Sequence, residues 1–185
     1  HVLRGSPLHL HFPSVVASRH LVTGASSDIN LVRGYTRLRQ LYWVFSVNGD
    51  KKAYAFKGAG NGTYTAANDT YTWMVTIGSR KWPERPCTGV AQTFRSLRQA
   101  CGAFYGTDDL AITPGTYNAD HFISGVDLEK AGNHGASHTG QSTKNGDIVQ
   151  LSVQNSSLTS GGSVIVFMVY DGLLSIRDGT VDVFE

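Results

Sequence analysis

The stretch from Trp73 to Gly102 constrains the fold more than any other part of this chain. Tyr71, Trp73, Val75 and Ile77 alternate with Thr72, Met74 and Thr76, the period of a strand with one face buried. Pro83 and Pro86 follow, and the sequence predicts that they stop this strand and hold an extended elbow. Beyond them Val90, Phe94, Leu97 and Cys101 fall on one helical stripe, with Arg95, Arg98 and Gln99 mostly off it. Thr88 is placed to be the N-cap and Gly102 the C′ residue of that helix. A single short helix set into a chain of strands and turns predicts an all-β fold, an antiparallel jelly-roll sandwich, rather than an α/β enzyme.

The rest of the chain reads as strands punctuated by turns. Residues 1–13 read as irregular, and Val15 to Val22 as a first strand. Ile29 to Val47 reads as one long strand, bulged at Gly34, whose second half enters the core. Asn48-Gly49-Asp50 is a turn signal, followed by a short strand from Ala53 to Phe56 and a Gly/Asn/Thr loop from Gly58 to Asn68. Ala103 to Asn118 reads as irregular, His121 to Leu128 as a strand, and Gly132 to Gly146 as a second polar loop. Ile148 to Val153 alternates cleanly, and the apolar run Val164 to Tyr170 predicts a fully buried strand. Asp171-Gly172 and Asp178-Gly179 read as turns into Leu173 to Ile176 and Val181 to Phe184. The expectation is about eight strands and one inserted helix in a single domain, with 1–28 an N-terminal extension and first strand and 29–185 the jelly roll. Trp43, Phe45, Trp73, Ile77, Phe94, Leu97, Leu151 and Phe167 are the expected core.

Composition narrows the function classes. With 41% hydrophobic residues in 185, the chain can bury a substantial core. Its 21 glycines and only 16% charged residues suit a turn-rich β protein. A net charge of +2 gives no surface dedicated to nucleic acid, and the Arg33, Arg37, Arg39 stripe lacks the interleaved exposed aromatics of a strand-binding groove. No transmembrane run or signal peptide is visible. The chain begins at His1, which fits a processed product or a piece of a longer protein.

The two cysteines, Cys87 and Cys101, lie near opposite ends of the expected helix, roughly 20 Å apart, and are expected as free thiols. Sequons at Asn61, Asn68 and Asn155 are expected by chance in a chain so rich in Asn, Ser and Thr.

Few residues form chemical constellations. Gly135-Ala-Ser-His-Thr-Gly140-Gln-Ser142 has the spacing of a phosphate loop, but glutamine replaces the lysine and a strand follows where a helix is required. It reads as a surface loop. His9 and His11 would open a cupin-like metal site, yet no acid follows before Asp28, and His134 and His138 stand among glycines. Glu84, Asp127 and Glu129 are the acids available for a glycosidase-like pair, though Glu129 is equally placed to meet Arg or Lys. Tyr42, Trp43, Trp73 and Trp82 would make a sugar platform if exposed, but alternation puts most of them in the core; Trp82 is the exception. No catalytic residue, metal or cofactor is expected.

The segment Trp73-x-Val75-x-Ile77-Gly78-Ser79-Arg80-x-Trp82-Pro83-x-x-Pro86 with its helix resembles the C-terminal jelly roll of double-jelly-roll major capsid proteins of Polinton-like and virophage-like DNA viruses. Phe122-Ile-Ser-Gly-Val-Asp-Leu-Glu129, Thr139-Gly-Gln-Ser-Thr143 leading into Gly146-Asp-Ile-Val-Gln-Leu151, and Val169-Tyr-Asp-Gly-Leu-Leu-Ser-Ile176 extend the similarity, as does Arg37-Leu-Arg-Gln-Leu-Tyr-Trp-Val-Phe45. It covers roughly 29–185. The resemblance implies a capsid building block in the virion shell, assembling as pseudo-hexagonal trimers with neighbouring capsid proteins in an icosahedral particle. Such proteins carry two jelly rolls, and this chain has room for one. The rival expectations are a lectin-like module with a glycan contact near Trp82, and a cupin-like metal enzyme.

Overall fold

The computed structural model describes residues 7–46, 70–102, 112–119, 122–129, 140–156, 162–177 and 180–184. Its strands are β1 (Leu8–Leu21), β2 (Ser27–Leu31), β3 (Leu38–Ser46), β4 (Thr72–Ile77), β5 (Arg80–Thr88), β6 (Ser124–Asp127), β7 (Val149–Gln154), β8 (Ser163–Arg177) and β9 (Thr180–Phe184). Two helices, α1 (Gly89–Ala100) and α2 (Pro114–Ala119), lie between β5 and β6.

The first eight strands pair antiparallel as β1 with β8, β2 with β7, β3 with β6 and β4 with β5. That nesting is a long hairpin rolled on itself, the wrapping of a jelly roll. One sheet runs β1-β8-β3-β6, the other β2-β7-β4-β5, and β9 adds to β8 outside this plan. β1 is therefore an integral sheet strand, and it starts at Leu8, well before the expected Val15.

The core lies where the alternating faces meet. Trp73, Val75 and Ile77 of β4 and Val149, Leu151 and Val153 of β7 face Leu41, Trp43 and Phe45 of β3 and the buried set Val164, Val166, Met168 and Tyr170 of β8. Across the layers the Trp43 and Trp73 rings meet edge to face at 4.8 Å. The Trp43 indole N–H donates to the Tyr71 hydroxyl at 2.8 Å, and that hydroxyl bonds Ser124 Oγ at 3.0 Å. This bridge satisfies three buried polar groups and ties the two sheets together.

Several expectations are corrected. The long strand from Ile29 to Val47 is two strands in different sheets, because residues 32–37 leave one layer and cross to the other. Gly34 lies in that crossing, not at a bulge; the one register shift of β3 against β8 falls between Leu38 and Gln40. Pro83 and Pro86 do not end the sheet. They sit within β5, which among the described residues is an edge strand with no ladder on its outer side to lose. Asp171-Gly172 is no turn: β8 runs through it, since Asp171 is held by an arginine and Gly172 makes room for the Phe12 ring, 2.7 Å from where a Cβ would sit.

Residues 114–119, expected as irregular, form α2. Strand Ala53 to Phe56, the loop Gly58 to Asn68, the turns at 48–50 and 178–179, His134, His138 and the sequons at Asn61 and Asn68 lie outside the described residues.

Helix α1 begins directly after Thr88, as the N-cap reading expects, and buries Gly89, Thr93, Leu97 and Ala100. Val90 and Phe94 are half-buried against the core, and Cys101 is exposed just past the helix end. Thr88 is the N-cap residue, but its side chain makes no capping bond; its N–H instead donates to Gln92 Oε1 at 3.0 Å. Gly102 follows with φ +75°, the left-handed C′ conformation that glycine adopts without strain. The Trp73 indole N–H donates to Thr93 Oγ1 at 3.1 Å, and Thr93 Oγ1 donates to the Gly89 carbonyl at 2.8 Å, pinning the helix to β4. At its other end the Ala100 carbonyl accepts from Gln40 Nε2 at 2.8 Å and from the Tyr42 hydroxyl at 3.0 Å.

Of the expected core, Phe94 and Phe167 are only half-buried. Phe167 shares the outer face of its sheet with Tyr42, its partner across β3 and β8. The apolar run of β8 thus fills both faces, but only the inner one is closed by a second sheet.

Candidate functional site

Three places gather side chains that the sandwich itself does not require. The first is a polar cleft of about 390 Å³ beside the β4–β5 turn, lined by Ser79, Arg80, Trp82, Gln141, Ser142, Asn145 and Asp147, with Ile77 at its base. Trp82, on β5 at the edge of the described sheet, is half-buried and packs against the core. The cleft wall from 140 to 147 is held by a backbone staple. Leu38 and Gln141 exchange N–H to carbonyl bonds at 2.8 Å, and Thr143 N–H donates to the Tyr35 carbonyl at 2.8 Å while its Oγ1 accepts from Tyr35 N–H at 2.7 Å. Gln141 and Thr143 are buried, so this part of the expected surface loop is structural. Its only trace in the sequence is a pair of hydrogen-bonding side chains in a glycine-rich loop. Gly78, at φ +57°, lets the Asp147 carboxylate approach to 2.6 Å of where a Cβ would lie.

The second place is an ion cluster. Arg39 donates through Nε to Glu129 Oε1 at 2.8 Å and through Nη1 to Asp171 Oδ1 at 3.2 Å. Both carboxylates are buried, and the hydrogen bond and charge of Glu129, followed by the charge of Asp171, raise the Arg39 guanidinium further above its ordinary range against the opposing cost of burial. Glu129 Oε2 and Arg37 Nη1 are buried without a hydrogen-bond partner. The Arg33, Arg37, Arg39 stripe is therefore dispersed: Arg39 lies in this cluster, and Arg33 stands over the Tyr35 ring at 5.9 Å.

The third is an apolar groove of about 380 Å³ on the outer face of the β1-β8-β3-β6 sheet, where Tyr42, Val44, Phe167 and Val169 meet Leu97 and Cys101 at the end of α1.

The other singled-out residues do not converge. Trp43 and Trp73 are core, not a platform. Tyr42 is tethered to Ala100, and burial raises its phenol far above its ordinary value. Glu84 is exposed on β5, while Asp127 Oδ1 accepts the Glu129 N–H at 2.9 Å and Glu129 faces Arg39, so the three acids do not face one another as a pair. His9 and His11 are exposed on β1. Among the described residues no three His, Cys, Asp or Glu side chains gather in a metal-holding group. Both cysteines are free, Cys87 buried and Cys101 exposed. Among the described residues no helix is long and apolar enough to cross a membrane.

No protein-family model matches the chain, and no curated protein matches it in sequence. Solved structures do. A crystal structure of PBCV-1 VP54 fitted into a cryo-EM reconstruction of the virophage Sputnik superposes with a TM-score of 0.60 at 9% identity, over 97% of this chain and 52% of that one. The quasi-atomic model of the PBCV-1 virus capsid superposes with a TM-score of 0.55 at 11% identity, over 98% of this chain and 52% of that one. The chain spans about half the length of the structures it matches. What it shares with them, at this identity, is the jelly-roll fold along nearly its whole length.

Proposed function

We propose that this chain is a structural capsid jelly roll, one of the two jelly rolls of a double-jelly-roll major capsid protein, working in the virion shell. The observation that carries this reading is the nested strand pairing over nearly the full chain, superposing on about half of a PBCV-1 capsid chain. The side chains agree with a brick rather than a reaction vessel. Buried aromatic pairs and the Tyr71 bridge stiffen the body, and Glu129 and Asp171 are spent on an internal ion cluster with Arg39. Threefold capsomers of pseudo-hexagonal outline are the assembly this reading expects, built from repeated contacts between identical units.

Sedimentation velocity and negative-stain electron microscopy of the purified protein test it. Threefold particles of three times the chain mass, or larger shells, support it. A monomer at every concentration, in protein carrying all its natural flanking sequence, would refute it.

The Trp82 cleft favours a second reading, a glycan-binding module, since an indole face beside amide, hydroxyl and carboxylate groups is the usual chemistry of sugar recognition. Saturable binding on a glycan array, lost on Trp82→Ala, would favour that reading over the shell.

A further inference from the structure

Asparagine followed by glycine occurs at 48–49, 61–62 and 145–146, and the last of these pairs lies among the described residues. This pairing is chemically fragile. The glycine amide nitrogen can reach the asparagine side-chain carbonyl and close a five-membered ring, and no Cβ on the glycine stands in the way. Asparagine counts among the thermolabile residues of proteins. A fold suppresses the closure where a ladder, a helix or a hydrogen bond fixes the next amide.

The other asparagines of the described residues are held in that manner. Asn30 is in β2, followed by buried Leu31, which pairs with Val149. Asn118 is in α2. Asn155 donates through Nδ2 to the Thr70 carbonyl at 3.0 Å, and the Ser156 N–H after it donates to the Ala25 carbonyl at 2.9 Å. Asn145 differs. It and Gly146 are both exposed, in the turn between the cleft wall and β7. Gly146 has φ +87°, and beyond its chain neighbours no heavy atom lies within 4 Å of where its Cβ would be. Space for ring closure is therefore present on the folded protein. The turn hangs between two anchored points: Thr143 is bonded to Tyr35, and the Ile148 carbonyl accepts the Gly78 N–H at 3.2 Å.

We propose that Asn145 is a self-modification site, converting to aspartate and isoaspartate on the rim of the polar cleft. The Gly146 amide nitrogen gives up its proton and attacks Asn145 Cγ. The new C–N bond closes a succinimide; the bond from Cγ to the side-chain nitrogen breaks, and that nitrogen takes up a proton and leaves as ammonia. Water then adds to one of the two ring carbonyls, and the ring nitrogen regains its proton. Opening at Cγ gives aspartate. Opening at the main-chain carbonyl gives isoaspartate, whose backbone is one carbon longer. In sum, asparagine and water become an acid and ammonia, with no change of oxidation state.

The consequence falls on the cleft. Asn145 lines it together with Arg80 and Asp147, one guanidinium and one carboxylate whose formal charges cancel. A second carboxylate leaves the cleft negative. Isoaspartate also lengthens a turn fixed at both ends, and Asp147 is the next residue to shift; its carboxylate lies 2.6 Å from where a Gly78 Cβ would sit. Fresh protein thus offers an amide where aged protein offers an acid. The inference depends on neither the shell reading nor the glycan reading.

Peptide-resolved mass spectrometry of aged protein tests it, with isoaspartyl methyltransferase labelling to count isoaspartate. The peptide bearing 145–146 should gain about 1 Da and take up label. Asn145→Gln should lose both signals, since glutamine would have to close a larger ring. Lys144 and Asp147 flank the reacting amide and Arg80 shares its cleft. Well below the pKa of an amide its ionised fraction rises about tenfold per pH unit, so the rate should climb about tenfold from pH 7 to pH 8. The same protein unfolded in urea is the reference. Asn145 in the folded protein should react within about tenfold of its unfolded rate. A slower folded rate means that the fold or the assembly protects the turn, and overturns the proposal. So does a rate indifferent to pH. Label without the mass gain would assign the isoaspartate to Asp147 and overturn it as well.

Discussion

Replacing Tyr71 with phenylalanine isolates the bond network that joins the two sheets. The ring keeps its edge contacts with Phe45 at 5.7 Å and Phe122 at 5.4 Å, so packing is conserved. What is lost is one hydroxyl that accepts from Trp43 and bonds Ser124, both fully buried. Each buried polar group left without a partner costs about 1–3 kcal/mol, so the indole N–H and the serine hydroxyl together set an expected loss of roughly 2–6 kcal/mol. For a chain of this length that lowers the melting temperature by roughly 5–20 °C. Urea titration followed by tryptophan fluorescence reads the change. The double variant Tyr71→Phe with Ser124→Ala removes one of the two stranded groups. It should therefore cost less than the sum of the singles, by about 1 kcal/mol. A Tyr71→Phe loss below about 0.5 kcal/mol, or strict additivity in the cycle, would refute the claim that this bridge holds the layers.

Other outcomes follow from the same structure. Arg39→Ala leaves buried Glu129 facing no guanidinium and should cost about 3–5 kcal/mol in thermal or chemical melts, with partial recovery when Glu129→Gln is added. Gly125→Ala puts a methyl 2.8 Å from the Tyr42 ring and 3.1 Å from Leu97, so it should push α1 off β6 and lower stability by about 1–3 kcal/mol. Burial raises the Cys87 thiol from 9.0 to about 11 and the Tyr71 phenol well above 10.0. The folded state thus keeps protons that the unfolded chain releases. Their contribution is complete below pH 9 and falls as pH rises, first from 9 to about 11 for Cys87 and then above 10 for Tyr71, at about 1.4 kcal/mol per pH unit for each group. Melts across pH 7–11 should show that alkaline decline and no rise. A thiol-reactive dye should count one cysteine, Cys101, in the native protein and a second, Cys87, only on unfolding.

How far the sequence could be read depended on whether a residue's role was local. The alternation of Trp73, Val75 and Ile77, the turn-rich composition and the C′ glycine at Gly102 are periodicities and backbone preferences, each imposed by immediate neighbours, and they marked a β sandwich with a helix against it. The same local reading failed where a distant partner decides. Val32 to Arg37 continues an extended pattern, yet the chain there changes sheets, because Tyr35 bonds Thr143 rather than a neighbouring strand. Asp171-Gly172 has turn residues, but an arginine 132 positions away holds the aspartate in a strand and the Phe12 ring claims the glycine's space. Prolines 83 and 86 forbid a central strand and permit an edge, and only the order of strands says which β5 is. Of the acids singled out as a catalytic pair and the arginines singled out as a stripe, Glu129 and Arg39 turned out to answer one another. Composition and period therefore determined the class of fold. The tertiary structure decided which strands are edges and which polar residues are consumed inside, since each of those depends on contacts between residues far apart in the chain.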